Sequence, residues 1–225
     1  MVPTIEALGR AEALSTALRD PAPSWITLPP ASAEIPDTLR TALGSFDAGT
    51  RPAGQAASAW LRDQALRAHP ISRTRLLVAE GKIMGYYSLA SAQVELRQSH
   101  RRQFAAGDGV PMVPAALVTW IAKDCRADVE GKHLLMHAVA TARRVDALQA
   151  TSVLVVDPYD DDTAQMWRDR FGFRPSAGQA GPRRLWLPLS VESLPSDSGR
   201  DDRDRRGIRR PRRGRSAPAN LSGPQ

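Results

Sequence analysis

Two histidines four residues apart, His133 and His137, have the spacing that brings two imidazoles onto one metal ion from one face of a helix. No third ligand accompanies them, and two solvated helix residues fit the same spacing, so no metal site is expected. Cys125 is the only cysteine, which excludes an internal disulfide and a cysteine-built zinc site. As a nucleophile it would need a base beside it; as a structural cysteine it needs nothing. Asp157–Pro158–Tyr159 follows a β-branched run, at the end of a strand where open α/β sheets bind ligands. The tripeptide either lines such a site or merely turns the chain. Arg97, Arg101, Arg102, Arg143, Arg144, Arg183 and Arg184 would meet nucleic-acid phosphates if they shared a face. Solubility alone accounts for arginines that are scattered.

The densest basic feature lies near the end of the chain. Arg200, Arg203, Arg205, Arg206, Arg209, Arg210, Arg212, Arg213 and Arg215, offset by Asp201, Asp202 and Asp204, carry six of the seven net positive charges. The rest of the chain is therefore close to neutral, and nucleic-acid binding is assigned to this stretch before the folded part. No aromatics interleave with its arginines, so its binding would be salt-sensitive and non-specific. After Leu189 the composition turns to Ser, Asp, Pro, Gly and Arg. Too little apolar surface remains to offset the ordering entropy, and residues 190–225 are expected to be a disordered tail.

The elements that must position these residues are read from periodicity. Ile5, Leu8, Leu14 and Leu18 suggest a short helix, and Trp25–Ile26–Thr27–Leu28 a first strand. Residues 38–46 suggest a helical turn and 56–68 a helix with Trp60 and Leu61 on one face. Strands over 72–79 and 82–92, joined by Glu80–Gly81, form a hairpin. A polar loop over 98–109 leads to a strand over 113–122. A helix over 131–148 turns Leu134, Leu135, Ala138, Val139, Ala142 and Val145 to one face. A buried strand over 151–156, a helix over 160–170 capped by Asp160, and a last strand at 185–187 complete the order. This is a mixed α/β sheet flanked by helices. The expected organisation is an extension over 1–24, a domain over 25–189 and the tail. No apolar run approaches the ~18 residues of a membrane span. Glu6, Glu12 and Asp20 interrupt the first twenty residues, unlike a secretory signal, so a cytoplasmic protein is expected.

Several phrases occur in a fixed order: Phe46–Asp47–Ala48–Gly49, Trp60–Leu61–Arg62 with Ala65–Leu66, Ile83–Met84–Gly85–Tyr86–Tyr87–Ser88–Leu89–Ala90, Ile121–Ala122–Lys123–Asp124, Ala164 to Phe173, and Leu185 to Leu189. Together they resemble the GNAT N-acetyltransferase superfamily, and within it the GNAT toxins of type II toxin–antitoxin pairs, over about residues 25–189. The resemblance implies a twisted mixed sheet, acetyl-CoA as acyl donor and a primary amine as acceptor. In the toxin branch that amine is the free amino group of an aminoacyl-tRNA. A ribbon–helix–helix antitoxin is the usual partner; a homodimer is an open alternative to a monomer.

The resemblance also assigns positions. Ile121 and Ala122 fall where a backbone N–H polarises the thioester carbonyl, and Arg126, Gly131, Lys132 and His133 fall around the pyrophosphate. The family's polar–x–x–Gly–x–small phrase is here Asp128–Val129–Glu130–Gly131–Lys132–His133, with the glycine kept, an acid at the first place and histidine at the last. Where the toxin branch carries a proton-donating tyrosine this chain has Trp167, whose indole is no practical acid. Tyr159, eight residues earlier, is the candidate replacement, or else a surface residue. Arg143, Arg144 and the tail arginines are the candidate contacts to tRNA. These departures leave two readings open: an active N-acetyltransferase, or a GNAT-fold protein that binds nucleic acid or a protein partner without catalysis.

Overall fold

The computed structural model describes residues 5–30, 32–68, 71–101, 104, 112–149, 151–177 and 183–190. Contacts divide the chain after residue 194, and the described residues all belong to the first part. Of the tail expected from residue 190, everything from residue 191 on, including its arginines, lies outside the described residues.

Helix α1 (Ile5–Arg19) precedes strand β1 (Ser24–Thr27), and helices α2 (Asp37–Ser45) and α3 (Pro52–Asp63) follow it. The hairpin β2 (Ser72–Ala79) and β3 (Lys82–Glu95) turns through Glu80 and Gly81, both at positive φ, 51° and 73°, as a two-residue hairpin requires. A single turn α4 (Gln98–Arg101) stands in the segment expected as loop. Then come β4 (Met112–Lys123), α5 (Gly131–Gln149), β5 (Val153–Val156), α6 (Asp161–Phe171), β6 (Arg174–Pro175) and β7 (Leu185–Pro188). The sheet has seven strands in the order β1-β2-β3-β4-β5-β7-β6, antiparallel except for β4 and β5. The helix expected over 56–68 and the strand expected over 82–92 differ most from the periodicity. Helix α3 starts at Pro52, because proline suits a first helical position, and β3 runs on to Glu95 against β4. The two-residue β6 has no sequence signal of its own; it exists by pairing with β7.

Period-two alternation divides the core. On β5, Leu154 and Val156 face α5 and α6, while Val153 and Val155 face the opposite side with Trp186 and Leu96. A second layer packs α1, α2 and α3 onto β1, β2 and β3 through Leu18, Leu39, Leu61, Leu76 and Tyr86. Two bulges interrupt the alternation. Leu77 pairs with Gly85 but Val78 with Ile83, leaving Met84 extra. Ser88 pairs with Trp120 but Leu89 with Val118, leaving Thr119 extra. The second inverts the phase of β4: Ala116 and Val118 pack with α5 and α6, whereas Trp120 and Ala122 pack with the α1–α3 layer. Trp120 then stacks on Trp60 of α3 at 5.4 Å, and Trp60 on Tyr86 at 5.8 Å.

The first turn of α3 sits on the backbone of the loop before it. A Cβ at Gly54 would stand 2.6 Å from the Ala48 carbonyl oxygen and 2.8 Å from that of Gly49. Neither oxygen belongs to a side chain that can swing away. Gly54→Ala is therefore expected to lower unfolding stability by about 1–3 kcal/mol, measured by denaturant titration, despite alanine's better helix propensity.

Candidate functional site

Strand β4 is longer than its parallel neighbour. The β4–β5 ladder runs from Ala115–Val153 to Val118–Val156 and stops, while β4 continues through the Thr119 bulge to Lys123. Beyond Val118 the β5 side of β4, with Ile121 and Ala122, has no strand partner among the described residues. Thr119 turns its hydroxyl onto the Ser88 carbonyl at 3.3 Å. A parting of two parallel strands beside a bulge exposes main-chain donors to a ligand laid between them.

A buried carboxylate holds the turn that follows. Asp124 is 5 % exposed. Its oxygens accept the N–H of Asp47 at 3.0 Å, the N–H of Arg126 at 2.9 Å, and Arg126 Nε and Nη2 at 2.9 and 2.6 Å. Burial would raise its pKa; the hydrogen bonds from Arg126 and Asp47, with the guanidinium charge, outweigh it and hold the carboxyl at about 2. Arg126 Nη2 also donates to the Ser45 carbonyl at 2.6 Å. Its guanidinium thus joins the end of α2 to the end of β4. The Cys125 N–H donates to the Asp47 carbonyl at 2.8 Å, and the Asp124 N–H to the carbonyl of the bulged Met84 at 2.9 Å. The phrases around Asp47 and Asp124 are therefore two halves of one fastening.

Helix α5 begins where this turn ends. A Cβ on Gly131 would meet nothing within 4 Å, so the backbone there lies open. Lys132 Nζ pairs with Glu130 at 3.1 Å, His133 is exposed, and Asp128 is exposed. At Gly85 the opposite holds: a Cβ would lie 2.8 Å from Leu134 Cδ1, so this glycine lets α5 close onto β3.

The remaining candidates are scattered. Trp167 is buried, 6 % exposed, against Phe171 at 5.2 Å and Phe173 at 5.1 Å. Tyr159 is 53 % exposed between β5 and α6, and its carbonyl accepts from Arg183 Nη1. Asp157 pairs with Arg184 at 2.6 Å, and Asp160 caps α6 through the Thr163 N–H at 2.7 Å. Arg143 turns inward, donating to the Leu189 and Ser190 carbonyls at 2.7 and 3.0 Å; Arg144, next to it, is exposed. Among the described residues no three His, Cys, Asp or Glu side chains come together to hold a metal.

His137 belongs to a group that spacing did not reveal. Its Nδ1 shares a 2.8 Å hydrogen bond with the hydroxyl of the fully buried Tyr87, which is also 2.8 Å from Thr141 Oγ1. The His137 ring lies flat on Trp25, 3.9 Å away and 3° from parallel. Burial first, then the charges of Arg75 and Arg144, lower the His137 pKa. A neutral imidazole allows the chain Thr141 hydroxyl to Tyr87 hydroxyl to His137 Nδ1 to be satisfied in one direction. The only hint in the sequence was the i, i+4 relation of His137 and Thr141.

No protein-family model and no curated protein matches the sequence. Solved structures do match in shape. AtaT complexed with acetyl-methionyl-tRNAfMet is 20 % identical, with a TM-score of 0.59 over 74 % of this chain and 95 % of that one. A tyrosine-to-phenylalanine mutant of KacT is 18 % identical, with a TM-score of 0.57 over 73 % of this chain and 95 % of that one. AtaTR bound with AcCoA is 20 % identical, with a TM-score of 0.53 over 74 % and 93 %. The chain has the GNAT fold. The parting of β4 from β5 and the open first turn of α5 are joined along the chain by the turn that Asp124 fastens.

That fastening has a pH signature. The Asp124 carboxyl is depressed in the folded state, so its stabilisation is complete above the ordinary carboxylate value near 4 and is lost as the pH falls toward 2. Asp124→Asn is expected to cost about 2 kcal/mol at pH 7, with the difference from the unmodified chain shrinking below about pH 4 in urea melts.

Proposed function

We propose that this protein is an acetyl-CoA-dependent N-acetyltransferase whose acceptor is a primary amine, the α-amino group of an aminoacyl-tRNA. The reading rests on the Thr119 bulge and the parting of β4 from β5, which lead into the open start of α5. It is supported by likeness of fold to AtaT complexed with acetyl-methionyl-tRNAfMet and to AtaTR bound with AcCoA. Acetyl-CoA, when bound, supplies an acyl group activated as a thioester.

The residues present fit such a donor. The His133 N–H turns back onto the Glu130 carbonyl at 3.0 Å, and the space over Gly131 lets phosphate oxygens approach the N-terminal end of α5, where the helix dipole favours an anion. Lys132 and His133 flank that approach, and the pairing of Glu130 with Lys132 tempers the local negative charge. Past the bulge, backbone N–H groups near Ile121 and Ala122 are the donors that would polarise the thioester carbonyl. Arg126 serves the site by holding the turn through Asp124. Tyr159, exposed at the end of β5, is the residue we assign to protonate the leaving thiolate. The reaction is a cytoplasmic one, and a ribbon–helix–helix antitoxin is the partner; AtaT has been solved bound to the C-terminus of its antitoxin AtaR.

One observation favours a second reading. Trp167 fills the core where the resemblance places an acidic tyrosine, as it would in a GNAT-fold protein that binds without catalysing. The two separate on incubation with labelled acetyl-CoA and aminoacyl-tRNA. The acetyltransferase reading expects label on the tRNA; no transfer, together with no heat of acetyl-CoA binding, overturns it. Gly131→Glu has room to fold and should weaken acetyl-CoA binding by roughly tenfold or more, about 1.4 kcal/mol, with an unchanged unfolding midpoint. Unaltered affinity in that variant removes α5 from the site.

A further inference from the structure

The Tyr87–His137–Thr141 group is flanked by two arginines that the acetyl-CoA site does not use. Arg75 pairs in register with Tyr87 on β3 and with Thr27 on β1, so the three side chains emerge in a row on the α5 face of the sheet. Among the described residues the Arg75 guanidinium donates to the neutral Thr27 hydroxyl alone. Arg144 is seven residues after His137 on α5, on the same face of the helix, and it is exposed. Among the described residues neither arginine meets a carboxylate. The charges of both reach the same two groups, Tyr87 and His137. The half-buried Trp25 indole, stacked on His137, completes the corner.

The composition of this corner is selective. Two guanidiniums without counter-ions attract a phosphate, and Arg binds one as a planar fork. An aromatic stack at the same place accepts the face of a base, which a phosphorylated peptide does not carry. The hydrogen bond to Tyr87 and the stack on Trp25 hold the imidazole still, so the platform is preorganised.

We infer that Arg75, Arg144 and the Trp25–His137 stack form a binding site for an unpaired nucleotide of RNA, its phosphate between the guanidiniums and its base against the exposed part of the stack. The inference rests on the reading of the acceptor as a charged tRNA, whose acceptor end is single-stranded. It assigns a grip on that RNA to the folded domain, apart from the arginines of residues 200–215.

The test is filter binding of the full chain to a labelled single-stranded RNA about eight nucleotides long, across a salt series. Because every variant keeps residues 200–215, differences between variants isolate the corner. Arg75→Gln and Arg144→Gln should each reduce the slope of log K against log salt by about 0.7, and the pair should weaken binding by roughly tenfold at about 0.1 M salt. Ultraviolet crosslinking should place RNA on the peptide that holds Trp25. Equal affinity and equal slope in the double variant overturn the proposal, as does crosslinking confined to residues 200–215. A phosphoserine peptide that binds with the same arginine dependence as RNA overturns the choice of occupant. Acetyl transfer to a small primary amine, measured alongside, separates the two readings. Arginine-dependent RNA binding without any transfer leaves the corner standing and removes the acetyltransferase. Transfer without arginine-dependent RNA binding does the reverse.

Discussion

One extra residue in one strand sets much of this architecture. A β-strand has a period of two, so every residue of β4 before Thr119 and every residue after it must obey opposite face assignments. With the bulge, Val118 can pack under α5 while Trp120 packs under α3, and both faces of the sheet receive bulky apolar groups where they have helices to cover them. The bulge also marks the point at which β4 and β5 cease to pair. Packing demands and an accessible backbone are thus met by the same local irregularity.

Polar groups inside the structure follow a single rule of compensation. Asp124 is almost fully buried, yet four donors converge on its two oxygens, and burial does not neutralise it. Tyr86 and Tyr87 are neighbours with no exposed surface and opposite facings. Tyr86 spends its hydroxyl on the Ala57 carbonyl at 2.8 Å, fixing α3 to the sheet; Tyr87 spends its own on α5. The paired tyrosines therefore rivet one helical layer to each side of β3. Each such bond is worth about 1 kcal/mol net, but an unmatched hydroxyl in the same place would cost more than the bond provides.

Elements with their own periodicity were legible in the sequence: the β2–β3 hairpin through Glu80–Gly81, the broad apolar face of α5, the four-residue apolar run of β5, and the Asp160 cap of α6. So was the fold, through the order of the phrases. What escaped depends on partners distant in sequence. Strand β6 exists only because β7 is beside it. The bulges at Met84 and Thr119 are register facts, and register belongs to two strands at once. The bond from Arg126 to the Ser45 carbonyl at the end of α2 has no signal in the sequence. Arg143 and Arg144, adjacent and alike in composition, face different ways. His137 read as a solvated helix residue, and its partners prove to be Tyr87, Thr141 and Trp25, contributed by β3, its own helix and β1.

The inward turn of Arg143 bears on mechanics. Its guanidinium grips two successive carbonyls, those of Leu189 and Ser190, just past the last strand. A tension applied at Ser190 is therefore borne by α5 as well as by the β5–β7 ladder. That helix opens at Gly131 and carries His137 in its middle. Load on Leu189 and Ser190 thus reaches the helix around which both proposed sites are built.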